Sequence, residues 1–286
     1  MAGFSDRSYG AIPHLVRWAL GALFLMGLWI QVSAASTTRI ITLSPALAEL
    51  VFDVGSGREL VGTVRFSRHP AQARLVPRVG DAFDLDLSRI LLMHPTLVLA
   101  WKGGTPPATI NALRSLHLRV VTLGALRLRG IARELISIGR LVGHVGHAER
   151  AAQAYRMALS EIRRIPHRQH SLRVFYEIAR APLDTIGRRQ IINRAIRICG
   201  GRNIFADIDE PAFTVSLTAV LERNPQVILV GRARSIRFWD RFGELSAVRH
   251  DAIDVIPPGW LAEATPRMLR GIRMLCRDLA HARLPG

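Results

Sequence analysis

The hydrophobic positions of the chain change their period repeatedly between residues 39 and 124. Short apolar runs predict strands at 39–43, 60–64, 97–101 and 120–123, since a strand buried in a parallel sheet is apolar on both faces. Between them, apolar residues spaced three and four apart predict helices at 46–54, 89–93 and 110–116. This alternation of strands and helices predicts a parallel α/β lobe.

The middle of the chain has a different pattern, and the alternation then resumes. Residues 131–142 and 148–165 both read as helices, with no strand between them. After Pro166, the pattern predicts strands at 173–178, 227–230 and 253–256 and helices at 191–198, 217–223 and 266–280. The chain therefore predicts a second α/β lobe, separated from the first by helices.

The two predicted lobes share one internal pattern. Residues 89–100 and 219–230 each contain a helix, a polar residue, a proline, a second polar residue and a buried strand. The simplest architecture that this predicts is α/β, with two similar lobes joined by a long helix. Ligand sites in such folds lie at the carboxyl ends of strands and between domains. The predicted domains are an N-terminal lobe at 35–125, connecting helices at 126–168 and a C-terminal lobe at 169–286.

The first 34 residues have the pattern of a secretory signal. Arg7 and Arg17 precede an apolar stretch at 18–30, and small residues follow, with cleavage expected after Ala34. The alternative is a membrane anchor, but the apolar stretch is shorter than the ~20 residues that a spanning helix needs. No cysteine follows the stretch directly, so we expect no lipid anchor. The sequence predicts an exported, periplasmic protein without an anchor.

Composition and cysteine content narrow the class of protein. Hydrophobic residues make up 49% of the chain and charged residues 21%, which is typical of a globular protein. The net charge of +17 would suit a nucleic-acid partner, but Lys102 is the only lysine and the arginines are dispersed, so we expect none. Cys199 and Cys276 form a disulfide or remain two buried thiols; export favours the disulfide.

Four segments of the mature chain, in order, resemble one family. They resemble the periplasmic binding proteins that deliver cobalamin, haem and ferric siderophores to ABC importers, and among these most closely the cobalamin-binding members. The segments are 41–46, 95–104, 198–205 and 264–267. The resemblance implies a class III periplasmic binding protein fold, with two Rossmann-like lobes joined by a long, rigid backbone helix. The implied role is delivery of a cobalt corrinoid to an inner-membrane ABC permease with its ATPase. The resemblance also supports a disulfide between Cys199 and Cys276. We further expect no enzymatic activity, no separate cofactor and a monomer.

The resemblance implies an aromatic ligand site. Trp101, Phe66 and Trp260 match aromatic positions of the family, while Phe83 and Phe213 stand next to positions where the family has tryptophan. Trp101 also suits this role by its own position, since it ends an apolar strand and precedes a glycine pair; the alternative is a core tryptophan. Two positions near Trp260 differ from the family. Where the family has aspartate and arginine, this chain has glycine at 259 and glutamate at 263.

The resemblance also implies a docking surface for the permease. The family carries one acidic residue on each lobe, and the matching positions here are Ser88 and Thr218. Asp86 and Glu222 lie nearby and are candidate substitutes. The alternative roles are a helix cap for Asp86 and a solvated helix face for Glu222.

Other ligands and activities are weaker alternatives. Haem-binding relatives use a tyrosine on the metal, and neither Tyr155 nor Tyr176 is predicted to face the cleft, which favours a corrinoid over haem or a ferric siderophore. His69 lacks a second ligand at metal spacing, so no metal site is predicted. An exported hydrolase would have to use the acidic loop at 207–210, which lacks a nearby base, and no catalytic motif occurs. We therefore expect no catalytic residues.

Overall fold

The computed structural model describes residues 3, 38–81, 84–124, 127–165 and 170–283. From Thr38 onward the chain forms one compact unit. The predicted signal peptide, apart from Gly3, lies outside the described residues. Within those ranges we find no helix whose length and hydropathy would let it cross a bilayer.

Strands and helices alternate along most of this unit. The strands of the described residues are β1 Ile40–Thr42, β2 Leu60–Thr63, β3 Leu97–Trp101, β4 Val120–Leu123, β5 Leu172–Arg180, β6 Leu183–Ile186, β7 Gly201–Asn203, β8 Ala212–Thr214, β9 Val227–Val230 and β10 Ile253–Val255. The α-helices are α1 Pro45–Asp53, α2 Leu87–Leu92, α3 Pro107–Ser115, α4 Leu128–Val142, α5 Val145–Arg163, α6 Ile191–Ile198, α7 Leu217–Arg223, α8 Ile236–Trp239, α9 Ser246–Arg249, α10 Pro258–Leu261 and α11 Met268–His281. Short 3-10 turns occupy Gly57–Glu59, Ala71–Leu75 and Ala233–Ser235.

The first sheet is parallel and has the strand order β2-β1-β3-β4. Its two central strands are buried on both faces, as the apolar runs predict. The Ser44 side chain caps α1 by accepting a hydrogen bond from the Leu47 N–H at 3.2 Å, and Pro45 occupies the first turn. This cap starts α1 immediately after β1.

The second sheet is mixed, with the strand order β10-β9-β5-β6-β8 and β7 paired to β5. β9 is parallel to β5 and β10, whereas β6 is antiparallel to β5 and β8. The sequence pattern did not predict β6, β7 or β8. Each has only three or four residues, too few for a periodicity to emerge.

The predicted connecting segment is a helical hairpin, since α4 and α5 are joined through Gly143 and His144. Gly143 has a left-handed φ of 79° and ends α4. The helices touch closely, because a Cβ on Gly139 would lie only 2.2 Å from the Ala148 side chain. The Tyr155 hydroxyl also donates to the Leu128 carbonyl at 2.9 Å. α5 begins one turn earlier than predicted.

The internal pattern of the sequence corresponds to equivalent structures in the two sheets. α2 precedes β3 and α7 precedes β9, and each helix has a side-chain cap. Asp86 accepts from the Arg89 N–H at 2.8 Å, so the prediction that it caps a helix is confirmed, and Ser216 accepts from the Ala219 N–H at 3.2 Å. His94 and Asn224, which precede the two prolines, both adopt positive φ, at 44° and 39°. The α/β class is confirmed.

One hydrophobic core extends through both sheets. It contains Ile40 and Leu97 from the first sheet, Val174 and Val227 from the second, and the inner faces of α4 and α5 between them. Burial of apolar side chains is the main favourable term in folding. Because this core is continuous, the two sheets cannot separate without exposing it to water.

The predicted disulfide between Cys199 and Cys276 is confirmed. Its sulfurs are bonded, and it joins the end of α6 to α11 across 77 residues of chain. Both residues lie in the continuous core. The bond therefore fastens the last helix to the second sheet.

A buried ion pair joins the first helix to the last part of the chain. Glu49 of α1 accepts from the Thr265 hydroxyl at 2.7 Å, and its Oε2 accepts from the Arg267 Nη2 at 2.7 Å. Arg267 Nε approaches both oxygens of the same carboxylate. Buried charges require such pairing, since burying an isolated charge is very costly.

Removing the disulfide should destabilise the protein measurably. We expect the Cys199→Ala, Cys276→Ala double variant to lose about 2–4 kcal/mol of unfolding free energy, because the open chain regains the entropy of a 77-residue loop. Alanine avoids a buried, unpaired hydroxyl. Urea denaturation under oxidising conditions measures the loss. Dithiothreitol should lower the unfolding free energy of the wild type and leave that of the double variant unchanged. Equal stabilities without reductant would contradict the prediction.

Neutralising Glu49 should also weaken the fold. Glu49→Gln keeps the size of the side chain but removes the charge that pairs with Arg267. We expect a loss of about 2–3 kcal/mol, less than the ~3–5 of a fully broken buried pair, since Arg267 keeps Glu263 as a partner. Glu161→Gln on the exposed face of α5 is the matched control and should cost under about 0.5 kcal/mol. Equal urea midpoints for the two variants would argue against a structural role for the pair.

Candidate ligand-binding site

A cavity of about 660 Å³ lies at the carboxyl ends of the strands of both sheets. The chain segments that leave parallel strands gather at this edge, which is where α/β folds bind ligands. The first sheet contributes residues at the ends of β1, β3 and β4, and the second contributes residues of β5 and the end of β9. The lining residues closest to these strand ends are Ser44, Pro45, Trp101, Lys102, Gly124, Tyr176, Glu177, Ile178 and Gly231.

Trp101 forms part of the apolar lining. It is the last residue of β3, and 41% of its surface is exposed, so it is not a core tryptophan. Its backbone N–H donates to the Thr105 hydroxyl at 2.9 Å, which ties down the following turn. The indole ring packs directly on Gly104, because a Cβ there would lie 1.7 Å from a ring carbon. Glycine at 104 therefore lets the ring rest on the backbone.

The opposite wall is formed by β5. Ile178 is 47% exposed, which leaves apolar surface available to a ligand, while Tyr176 is almost fully buried. Burial raises the pKa of Tyr176 to about 12, so its hydroxyl stays protonated at neutral pH. Sequence reasoning placed this tyrosine within a strand and away from the cleft. It lies in the middle of β5, and it also lines the cavity.

Glu177 lies between Tyr176 and Ile178 in β5, and its carboxylate is occupied by protein donors. It accepts from the Ser235 hydroxyl and from the Trp239 indole N–H, each at 2.7 Å. The Arg180 guanidinium is 3.6 Å away. This buried carboxylate therefore positions the aromatic cluster around Trp239.

A second carboxylate, Glu263, lines the cavity from the segment between α10 and α11. Its Oε2 accepts from the Arg267 Nη2 at 2.8 Å, and 26% of its side chain remains exposed. Burial raises its pKa to about 7, and the positive charge of Arg267 limits the rise. Its charge is therefore sensitive to pH near neutrality.

Sequence reasoning missed several other lining residues. Arg189 lies just before α6, and its guanidinium pairs with Glu210 at 3.0 Å. Gln190, Ile191 and Ile192 follow it along the same wall. These residues follow soon after β6, and a position after a strand end could have indicated a place at the cavity. The sequence pattern, however, did not reveal β6.

Phe66, a predicted ligand residue, lies outside the lining of this cavity. Its ring is 68% exposed, and the Arg68 guanidinium lies 5.7 Å from the ring centre. Its φ of 66° is in the left-handed region, which is uncommon for a bulky side chain. The ring is thus available to a partner but does not contribute to the cavity wall.

The remaining predicted aromatics have other positions. Phe213 in β8 packs edge-on against Phe205, at 5.6 Å between ring centres, because the alternation of the strand turns it toward a second apolar cluster. Trp260 of α10 packs against the continuous core. Both rings pack within the protein and lie outside the lining of this cavity, so a ligand contact from either of them stays a prediction. Phe83 lies outside the described residues.

The predicted docking residues are all exposed. Asp86 and Ser88 lie at the start of α2, and Thr218 and Glu222 lie on α7. α2 and α7 are the repeated helices that precede β3 and β9. The four residues therefore occupy related positions in the two sheets.

The acidic loop considered for hydrolysis is neutralised by arginines. Asp207 pairs with Arg223, and Asp209 pairs with Arg188 at 3.0 Å. The hydrogen bond from Arg223 holds the pKa of Asp207 below its ordinary value, whereas a general acid needs a raised pKa. Within the described ranges, no group of three or more His, Cys, Asp or Glu side chains is arranged to hold a metal ion.

Comparisons with known proteins agree with this architecture. The periplasmic binding protein family matches residues 40–251. A vitamin B12-binding protein of Vibrio cholerae is 30% identical over 249 residues, which are 85% of this chain and 90% of that protein. Relatives of this kind bind small molecules and work with ABC transporters.

Solved structures show the same fold. The periplasmic vitamin B12 binding protein BtuF of Vibrio cholerae superimposes with a TM-score of 0.81 at 30% identity, covering 86% of this chain and 98% of that one. The periplasmic heme-binding protein RhuT from Roseiflexus sp. RS-1 has a TM-score of 0.75 at 21% identity, covering 86% and 99%. The second likeness supports the fold alone. With a cavity at the strand ends and a family match across most of its length, the chain belongs to the periplasmic binding proteins, the non-enzymatic ligand-binding components of transporters.

Proposed function

We propose that this protein captures cobalamin or a related cobalt corrinoid in the cavity between its two sheets and delivers it to an ABC importer. The observation that carries the proposal is the position of Trp101, a half-exposed indole on the wall of a largely apolar cavity at the strand ends. The vitamin B12-binding relatives support the class of ligand. The ligand is cargo, and no separate cofactor is proposed.

The surface of the cavity suits a large, mostly apolar ligand face. Trp101 from one sheet and Ile178 from the other both offer exposed apolar surface. A buried aromatic contact contributes about 1.5–3 kcal/mol through removal of its surface from water. The continuous core holds the two walls in place before the ligand arrives, so little ordering cost is expected on binding.

The tyrosine on the cavity wall favours a corrinoid over haem. A tyrosine that ligates haem iron does so as an anion. Tyr176 is the tyrosine that lines the cavity, but its burial raises the pKa to about 12. Because Tyr176 is almost fully buried, its side chain offers little surface to a ligand, and we expect no haem-iron bond from it.

We further propose that the protein works in the periplasm as a monomer. Residues 1–34 would direct export, and cleavage after Ala34 would release the mature chain. The disulfide between Cys199 and Cys276 suits an oxidising compartment. The periplasmic relatives support this location.

An inner-membrane permease with its ATPase is the proposed partner. Asp86, Ser88, Thr218 and Glu222 are exposed at related positions on α2 and α7, which makes these helices a paired surface for docking. Asp86 and Glu222 provide the negative charges at these positions. Because Asp86 also caps α2, its charge is held at the start of that helix.

Trp101→Ala should weaken corrinoid binding at least ~10-fold, which corresponds to about 1.4 kcal/mol of lost contact. The measurement is isothermal titration calorimetry of residues 35–286 with cyanocobalamin, checked by tryptophan fluorescence. Met157→Ala, on the exposed face of α5, is the control for removal of a large apolar side chain and should leave affinity unchanged. The proposal would be wrong if the wild type bound no corrinoid.

A further inference from the structure

Glu263 is the acidic group of the cavity that still has capacity to bind a ligand. Of the two carboxylates on the cavity wall, Glu177 has both oxygens occupied by protein donors. Glu263 uses Oε2 for Arg267, and its Oε1 accepts no hydrogen bond from any described residue. Because Glu263 lines the cavity and 26% of its side chain is exposed, the wall contains an acceptor available to a ligand.

Arg267 cannot neutralise all the negative charge of this wall, because it is shared between two carboxylates. Its guanidinium donates to both oxygens of Glu49 and to one oxygen of Glu263. One positive charge thus faces two carboxylates, and Glu49 is the more buried of the two, with 7% of its side chain exposed. The uncompensated charge falls on Glu263, where a ligand N–H would be attracted and a ligand carboxylate repelled.

We infer that Glu263 is a specificity-determining residue that accepts a hydrogen bond from an amide N–H of the ligand and selects against ligands with a carboxylate at that place. This inference rests on the proposed function. A site built around a polar group discriminates strongly, because the wrong ligand leaves that group unpaired or faced with a like charge. The remaining positive groups of the lining, Lys102 and Arg189, come from other segments, and Arg189 is paired with Glu210.

Glu263 also makes the selection depend on pH. The charged groups that act on it are Arg267 from its own segment and Glu49 from α1. Asp53 of α1 and His69 interact with that pair, and burial also raises the pKa of Asp53 to about 7, but neither residue lines the cavity. Burial raises the pKa of Glu263 to about 7, so the carboxylate is ionised above that pH and protonated below it. The selection should therefore be strong at pH 8 and fade as the pH falls toward 5.5, where a ligand carboxylate is still ionised.

The test compares cyanocobalamin with its separated monocarboxylic acid isomers, in each of which one side-chain amide is hydrolysed. Affinities of residues 35–286 are measured by calorimetry at pH 8 and pH 5.5. At pH 8 we expect the wild type to bind the amide form about tenfold more tightly than at least one isomer. For that isomer, Glu263→Gln should bring the ratio close to one, and so should pH 5.5 in the wild type.

Glu161→Gln on α5 is the matched control and should keep the wild-type ratio at both pH values. Thermal melting checks that Glu263→Gln is folded, and the wild-type pH series tests the inference even if it is not. If every protein binds cyanocobalamin and the ratios do not change with Glu263→Gln or with pH, the inference is wrong and the proposed function stands. If no corrinoid binds the wild type, the proposed function fails first.

Discussion

The burial of one hydrophobic core beneath two sheets is the constraint on which the rest of this molecule depends. Residues of β1, β3, β5 and β9 share that core with the inner faces of α4 and α5. Since separating the sheets would expose these side chains to water, the carboxyl ends of their strands stay directed at one cavity. The ligand site is therefore a consequence of core packing, and its walls exist before a ligand binds. Preorganised walls leave more of the contact energy for affinity.

Polar groups near the cavity are positioned by the same packing. Glu177 is held by Ser235 and Trp239, so its charge orients the protein rather than a ligand. Glu49 holds Arg267 in place, and Arg267 in turn holds one oxygen of Glu263. In a site of low dielectric these pairings are stronger than in water, which makes the wall rigid. Selectivity can then arise from one exposed carboxylate oxygen instead of from a flexible loop.

Much of the fold could be predicted from the sequence because its strongest signals are local. The buried runs at Leu97–Trp101 and Val227–Val230 are almost wholly apolar. Each run is preceded by a helix and then a proline, so the same pattern occurs twice. The short strands β6, β7 and β8 depend on pairing with β5 and with each other, which is tertiary information. In the helical hairpin the end of α4 at Val142 agrees with the prediction, but α4 and α5 each begin one turn earlier than predicted, at Leu128 and Val145.

The site was harder to predict than the fold, because a ring in a loop or short strand does not reveal which way it points. Trp101 ends a strand whose neighbours were recognisable, and its place at the cavity follows from that strand. Phe213 belongs to a strand that the pattern missed, so the turn of its ring toward Phe205 could not be foreseen. Glu263 differs from the arginine that the family resemblance led us to expect, and only the pairing of Glu49 with Arg267 gives that difference a physical meaning. A fold shared with vitamin B12- and haem-binding proteins can thus be adapted to its own ligand by changing the charge at one wall while leaving the core intact.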